Sequence, residues 1–452
     1  MKERHAMRPI LRPALSQLAV AALALVFLVL PALNARAAVD IQEVRADSGV
    51  TAWLVEDYTV PIISIRFAFE GGSAQDPHDR IGLANLMAGL FDEGAADLDS
   101  EAFQIRLDDA GAEMSFNAET DAIYGQMRTL VETKDEAFSL LRMAIQRPRF
   151  DEGPVDRIRS QIVAGIVARE RDPERQADIA WRRAIYGDHP YAERDEGTPE
   201  SLAAVTRDDL KSFHERMFAR SNLKVAVVGA IDPETLKVVL DDLFSALPAE
   251  ADLREIERAD PKLDQEVRVD YPLPQTSIRL AYPGVERSDP EFFAAYMMNQ
   301  ILGGGTFSSR LFEEVREKRG LVYGVSSGLA NRKYSTSLVI RTATRSDRAA
   351  RTLAVIKDEI RRMAEEGPTA DELERAKRYV IGAYAINNLD TSTAIARTLV
   401  ELQIDDLGID YIDRRAELIN GVTLDETKAA AQRLLSVEPA IMLVGPAQED
   451  GG

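Results

Sequence analysis

Cysteine is absent from all 452 residues. That excludes disulfides, thiolate metal sites and a cysteine nucleophile. Histidine is scarce as well, with four in the chain, and no two of them stand at ligand spacing. His5 lies in the basic N-terminal stretch, His78 in the polar turn DPHDR, His189 in YGDHPY, and His214 beside Glu215 in a helical pattern. Each reads as a structural or solvated histidine rather than a ligand. Neither a GxSxG elbow nor a GxxxxGK[ST] phosphate loop occurs; GGGT at 303–306 lacks the lysine such a loop requires. Positive charge is short too: 55 Lys and Arg against 75 Asp and Glu give a formal charge of -20. A chain this acidic is a poor partner for nucleic acid or an anionic membrane surface. Taken alone, it carries no self-sufficient catalytic constellation.

What is present describes an ordinary soluble protein, 45% hydrophobic and 29% charged. Its length suits two to four domains. The first residues stand apart. Lys2, Arg4, Arg8 and Arg12 precede the apolar run LAVAALALVFLVL (18–30), and Ala35-Arg36-Ala37 then offers small-x-small before Ala38. The run is short of the roughly 20 residues of a spanning helix, so residues 1–37 read as a cleaved secretory signal, with an uncleaved anchor as the alternative. No second run of membrane length follows. An exported chain without disulfides places the protein best in a periplasm.

The chain repeats itself. SIRFAF (64–69) is followed by Glu70-Gly71-Gly72, and SIRLAY (277–282) by Pro283-Gly284, an offset of 213. VTRDDLKSFHERMFARSNLKVAVVG (205–229) returns as VTLDETKAAAQRLLSVEPAIMLVG (422–445), an offset of 216 to 217. Matched ends at nearly equal offset mean two duplicated domains. The stretch 247–274 between them is rich in charge, Asp and Pro and reads as a linker with a strand at its end. Helical patterns fall at 80–92, 100–111, 134–146, 154–171 and 206–218, where Thr206 and Asp209 supply a capping-box-like start. Strands separated by long helical runs favour an α+β architecture, each half a mainly antiparallel sheet with helices on one face. The expected limits are 38–250 for the first domain, 251–270 for the linker and 271–448 for the second.

Three long blocks carry a resemblance: GGSAQDPHDRIGLANLMAGLFDEGA (71–95), YGDHPYAERDEGTPESLAAVTRDDLKSFHERMF (186–218) and LGGGTFSSRLFEEVREKRGLVYGVSS (302–327). In content and order they resemble the M16 peptidases, the pitrilysin and insulinase group. The likeness is greatest to the noncatalytic subunit of two-domain bacterial heterodimers, similar to the alpha subunit of the mitochondrial processing peptidase. The resemblance implies a paired α+β fold of the LuxS/MPP-like metallohydrolase type.

It also implies a zinc motif, HxxEH, at 85–89, with a glutamate about seventy-six residues further on as third ligand. Those positions hold Asn85, Ala88, Gly89 and Gly165. All four are lost together, so the resemblance implies no catalytic zinc in this chain and zinc in a partner carrying HxxEH. The family's arginine–tyrosine pair, by contrast, is matched by Arg316 and Tyr323. By resemblance Arg316 binds a substrate carbonyl and Tyr323 donates to the oxyanion of peptide hydrolysis. FSSRLFEEVREKR (307–319) reads as a helix burying Phe307, Leu311 and Val315. Gly320 follows as the left-handed residue past its end, and a strand starts at Leu321. Two readings of Gly303, Gly304 and Gly305 stand: a mobile element that captures an extended peptide, or a turn before a helix capped by Thr306 or Ser308. The function expected is that of a noncatalytic, substrate-binding subunit acting on unfolded peptides. The alternative is a structural or peptide-binding homologue without peptidase activity.

Overall fold

The computed structural model describes residues 39–447; the expected signal segment, 1–37, and the last residue of the expected second domain lie outside them. The first half runs β1 (Gln42–Arg45), β2 (Thr51–Glu56), β3 (Ile62–Glu70), α1 (Leu83–Ala88), α2 (Ser100–Asp109), β4 (Glu113–Ala118), β5 (Ala122–Leu130), α3 (Lys134–Gln146), α4 (Glu152–Ala168), α5 (Pro173–Tyr186), α6 (Pro199–Ala204), α7 (Arg207–Met217), β6 (Leu223–Gly229) and α8 (Pro233–Phe244). The second runs β7 (Glu266–Asp270), β8 (Gln275–Pro283), α9 (Phe292–Asn299), β9 (Val322–Arg332), β10 (Ser335–Arg345), α10 (Ala349–Glu366), α11 (Ala370–Asn388), α12 (Ser392–Ile404), α13 (Tyr411–Gly421), α14 (Leu424–Leu435) and β11 (Ala440–Gly445).

The two sheets share one plan. The first is ordered β1-β2-β6-β3-β5-β4, the second β7-β11-β8-β10-β9. In each, one pair is parallel, β2 with β6 and β7 with β11, and the rest are antiparallel. Register preserves the repeat: Ile65 pairs Val227 in the first sheet, and Ile278 pairs Leu443 in the second. Both halves reuse one helix start. Thr206 with Asp209 and Thr423 with Glu426 form capping boxes, the hydroxyl accepting an amide and the acid returning the bond. The strand inside the expected linker, β7, is already paired in the second sheet.

Alternation along β3 and β8 sorts their residues. Ile63, Ile65, Phe67 and Phe69 point into the first core, where Phe67 meets Phe69, Phe116 and Phe244 edge-on at 5.7–6.0 Å. Ile278, Leu280 and Tyr282 point into the second. The opposite face of each sheet is covered too, and by a helix from the other half. Helix α12 lies across β3 and β6, with Gln403 Nε2 donating to the Val225 carbonyl at 2.9 Å. Helix α5 lies across β7 and β11, burying Ala177, Trp181 and Ile185 against Ala281, Ala440, Met442 and Val444. This explains the repeated SIR: its arginine faces the exchanged helix. Arg279 pairs with Asp178 of α5 at 2.6 Å. Arg66 sits over the Tyr124 ring at 4.9 Å, within the field of Glu401 on α12. The two α+β halves with mainly antiparallel sheets match the sequence pattern, and the exchanged helices cover the remaining face of each sheet.

Candidate functional site

At the lost metal motif the helix survives in shortened form. Its N-terminal side opens on Gly82 at φ 93°, a left-handed start, so α1 spans Leu83–Ala88 rather than the predicted 80–92. Asp76 is buried, and its two carboxyl oxygens accept the amides of Gly82 at 2.7 Å and Ala84 at 2.9 Å, fixing that start. Leu83, Leu86, Met87 and Phe91 are each at most 1% exposed, so the segment retains a packing role.

The four motif positions are closed to zinc by more than the missing donors. Gly89 ends α1, and a side chain there would place its Cβ 3.1 Å from Cγ2 of Ile158 on α4. An apolar branch therefore occupies the space an imidazole would need. Gly165 lies on α4, which packs against α1. Arg169 reaches back from the next turn, its Nε donating to the Gly165 carbonyl at 3.1 Å, and its Nη2 lies 3.8 Å from where a Cβ would stand. A guanidinium at a ligand position repels a divalent cation. Ala88 is buried and Asn85 half-buried. The acids that follow are engaged elsewhere: Asp92 by Gln104, Glu93 by Ser100 and Arg157. Among the described residues no group of three His, Cys, Asp or Glu could hold a metal. The residues present do not fit zinc.

The histidines stay apart. His78 is exposed, 3.9 Å from Glu193. His189 Nδ1 accepts the Tyr191 amide, so its Nε2 donates to the Glu257 carbonyl at 3.0 Å. His214 is buried against Phe218 and donates from Nε2 to the Ile145 carbonyl at 2.8 Å; burial lowers its pKa to about 4.

The arginine and tyrosine of the second half do come together. Residues 312–317 form a turn of π-helix, whose wider winding carries Arg316 near its end. The chain then passes Gly320, at φ 57°, into β9. The Arg316 guanidinium stands 4.6 Å over the Phe312 ring and 5.6 Å from the Tyr323 ring, with one bond to Glu317 at 3.1 Å. Tyr323 is 91% exposed. Its neighbours Glu313, Glu314, Lys318 and Arg319 pair among themselves, leaving the arginine face open toward the tyrosine.

Phe307 departs from the sequence reading. Leu311 and Val315 are buried as expected, but Phe307 is 74% exposed. It lies on a separate 3-10 turn ahead of the helix and packs edge-on against Phe312 at 5.1 Å. Phe307, Phe312, Arg316 and Tyr323 thus make one continuous row. Phe312 was missed as a site residue, although its spacing of four from Arg316 was a legible signal. Gly303 and Gly304 close a second π-turn, over 300–304, that lies against β9. A Cβ on Gly303 would stand 2.6 Å from Ser327 Oγ, one on Gly304 2.8 Å from Asn299 Nδ2, and one on Gly305 2.7 Å from the Gln300 carbonyl. Backbone atoms bar a side chain at Gly303 and Gly305, while at Gly304 the nearest obstacle is the Asn299 side chain. Ser308 Oγ turns back to the Gly305 carbonyl.

Residues 204–380 match the family described as the peptidase M16 inactive domain. The non-peptidase homolog YmxG of Helicobacter pylori is 25% identical over 76% of this chain and 79% of its own. An uncharacterized zinc protease YmxG of Bacillus subtilis is 22% identical over 90% of this chain and 98% of its own. The crystal structure of a peptidase M16 inactive domain from Pseudomonas fluorescens superposes with a TM-score of 0.84 at 30% identity, covering 91% of this chain and 99% of that one. With the duplicated sheets, the helix that kept its packing while losing its ligands, and these likenesses, the chain belongs to the peptidase M16 family.

Proposed function

We propose that this protein is the noncatalytic, substrate-binding subunit of a heterodimeric M16 zinc peptidase. The observation that carries the reading is the asymmetry of the two halves. Where a zinc site would stand, the first half holds Ile158 and Arg169; the second presents Arg316 and an almost fully exposed Tyr323 side by side. A partner with HxxEH supplies zinc and general base. Arg316 binds a backbone carbonyl of an unfolded peptide with its multi-donor fork, and Tyr323 donates its hydroxyl to the oxyanion of the hydrolysed bond. The strand that carries Tyr323 is an outer strand of its sheet, the kind of edge an extended peptide extends. A periplasmic location, after loss of residues 1–37, accompanies this reading. No described helix is long and apolar enough to cross a membrane.

The test is co-expression with an HxxEH homologue and assay of an unstructured peptide. Cleavage should require both chains, and Tyr323→Phe or Arg316→Ala should lower kcat about 10²- to 10³-fold, the usual effect of removing an oxyanion donor. Full activity in the double variant, or stoichiometric zinc bound by this chain alone, would refute the reading. If no complex forms with any HxxEH chain, the structural or peptide-binding homologue takes its place.

A further inference from the structure

The strand carrying Tyr323 is irregular at that residue. Along β9 and β10 the register runs unbroken from Ser335 opposite Arg332 to Thr342 opposite Val325, and then skips: Thr344 stands opposite Val322. Two residues of β9, Tyr323 and Gly324, therefore face a single residue of β10, Ala343. This is a β-bulge, a device that re-aims a side chain out of the alternating pattern. Its effect is visible in burial. Val322 and Val325 are both buried, and Tyr323 and Gly324 between them are both exposed.

The bulge is held from below. Thr342 Oγ1 donates to the Gly324 carbonyl at 2.7 Å, and Thr344 Oγ1 to the Leu321 carbonyl at 2.7 Å. Thr352, fully buried on α10, bonds the Thr344 hydroxyl at 3.1 Å. The carbonyls on either side of the Val322–Tyr323 step are thus fixed by buried side chains. The same clip reaches Arg316: the Gly320 amide donates to its carbonyl at 2.8 Å, and the Leu321 amide to that of Val315 at 3.0 Å.

The repeat supplies an internal control. Ile278, which pairs Thr342, corresponds by the 213-residue offset to Ile65, which pairs Met127. In the first half the same inward position is apolar and buried, and β4 runs along β5 without a skip from Glu113 opposite Arg128 to Ala118 opposite Ile123. The bulge and the Thr342 hydroxyl occur together in the half that presents the tyrosine and are both missing from the half that does not, whereas the Thr344 position is a buried threonine, Thr129, in the first half as well. A position serving the core alone would continue the Leu338, Ile340 series with another apolar residue.

We infer that Thr342 is a positioning residue that locks the β9 bulge and thereby aims Tyr323 away from the sheet, beside Arg316. Its role in catalysis rests on the function proposed above; its hold on Tyr323 does not. Two measurements keep these apart. In the first, the chain alone is labelled with 3-fluorotyrosine, and the Tyr323 signal is assigned by its loss in Tyr323→Phe. Wild type and Thr342→Ser should give one sharp ¹⁹F line, and Thr342→Val a shifted or doubled one. An unchanged line in Thr342→Val overturns the inference whatever the protein does. In the second, the heterodimer is assayed. Thr342→Val should lower kcat at least tenfold with KM within twofold, Thr342→Ser should recover it to within threefold, and Thr342→Val should add nothing in a Tyr323→Phe background. A Tyr323→Phe variant that loses activity while Thr342→Val keeps it also overturns the inference. A silent Tyr323→Phe refutes the functional reading, and the ¹⁹F result then decides the positioning claim by itself.

Discussion

Replacing His214 with glutamine should remove a pH-dependent part of the protein's stability while keeping a donor for the Ile145 carbonyl. The imidazole is 8% exposed, stacked on Phe218 at 4.6 Å and 6.0 Å from the Phe91 ring. Burial disfavours its cation and lowers its pKa from 6.5 to about 4, the bond to Ile145 opposing this only in part. The unfolded chain therefore takes up a proton near pH 6.5 that the folded chain refuses until about pH 4. Stability from this group is fully present above 6.5 and drains away as pH falls through that window. A separation of about 2.5 units at about 1.4 kcal/mol each sets the full loss at about 3.5 kcal/mol, of which about 3 is reached by about pH 4. Asp76 works in the opposite direction. Burial pushes its carboxyl up to about 8, so its contribution is greatest below the ordinary value of 3.8 and is lost as pH rises toward 8. A single stability curve mixes the two, and the difference between wild type and His214→Gln isolates the histidine. Urea unfolding from pH 7.5 to 4 should show wild type losing about 3 kcal/mol more than the variant. Parallel curves would refute the reasoning, because the histidine would then titrate alike in both states.

Two smaller tests address packing. Gly89→His should not recruit zinc and should destabilise by about 1–3 kcal/mol, since its Cβ meets Ile158 at 3.1 Å; thermal melts with and without added zinc would separate the outcomes. Tyr191→Phe should cost about 1–3 kcal/mol, because the buried hydroxyl donates to Asp121 at 2.7 Å and accepts the Tyr334 amide at 3.0 Å. A urea midpoint unchanged from wild type would show that this contact, which joins the β9–β10 turn to the first half, adds nothing.

The duplicated plan was legible because strands write their pairing into local pattern. SIRFAF and SIRLAY mark the same strand in both sheets, and the capping boxes at Thr206 and Thr423 mark the same helix start. The Arg316–Tyr323 pair was legible through its flanking residues. Other features left little trace. Ala177, Trp181 and Ile185 are spaced four apart and announce a buried stripe, yet nothing in that spacing says which sheet lies beneath it. Phe307 looked buried because a continuous helix was assumed where a 3-10 turn intervenes. The bulge at Tyr323 was invisible, since one extra residue in one strand acquires meaning only against its partner's register. The late start of α1 follows from the left-handed conformation at Gly82, which the glycine permits without announcing.

The exchange of α5 and α12 has a mechanical consequence. Each half completes its neighbour, so the surface between them is hydrophobic core rather than a seam. The chain is in effect a tethered dimer: two like protomers that traded a helix, with residues 251–265 as the leash that keeps the trade intramolecular. Such a body does not open like a clam between its own halves, because parting them would bare Trp181 and Ile185 on one side and Leu399 and Val400 on the other. Under the function proposed above, the opening that admits a peptide lies between this chain and its zinc-bearing partner rather than between its own halves.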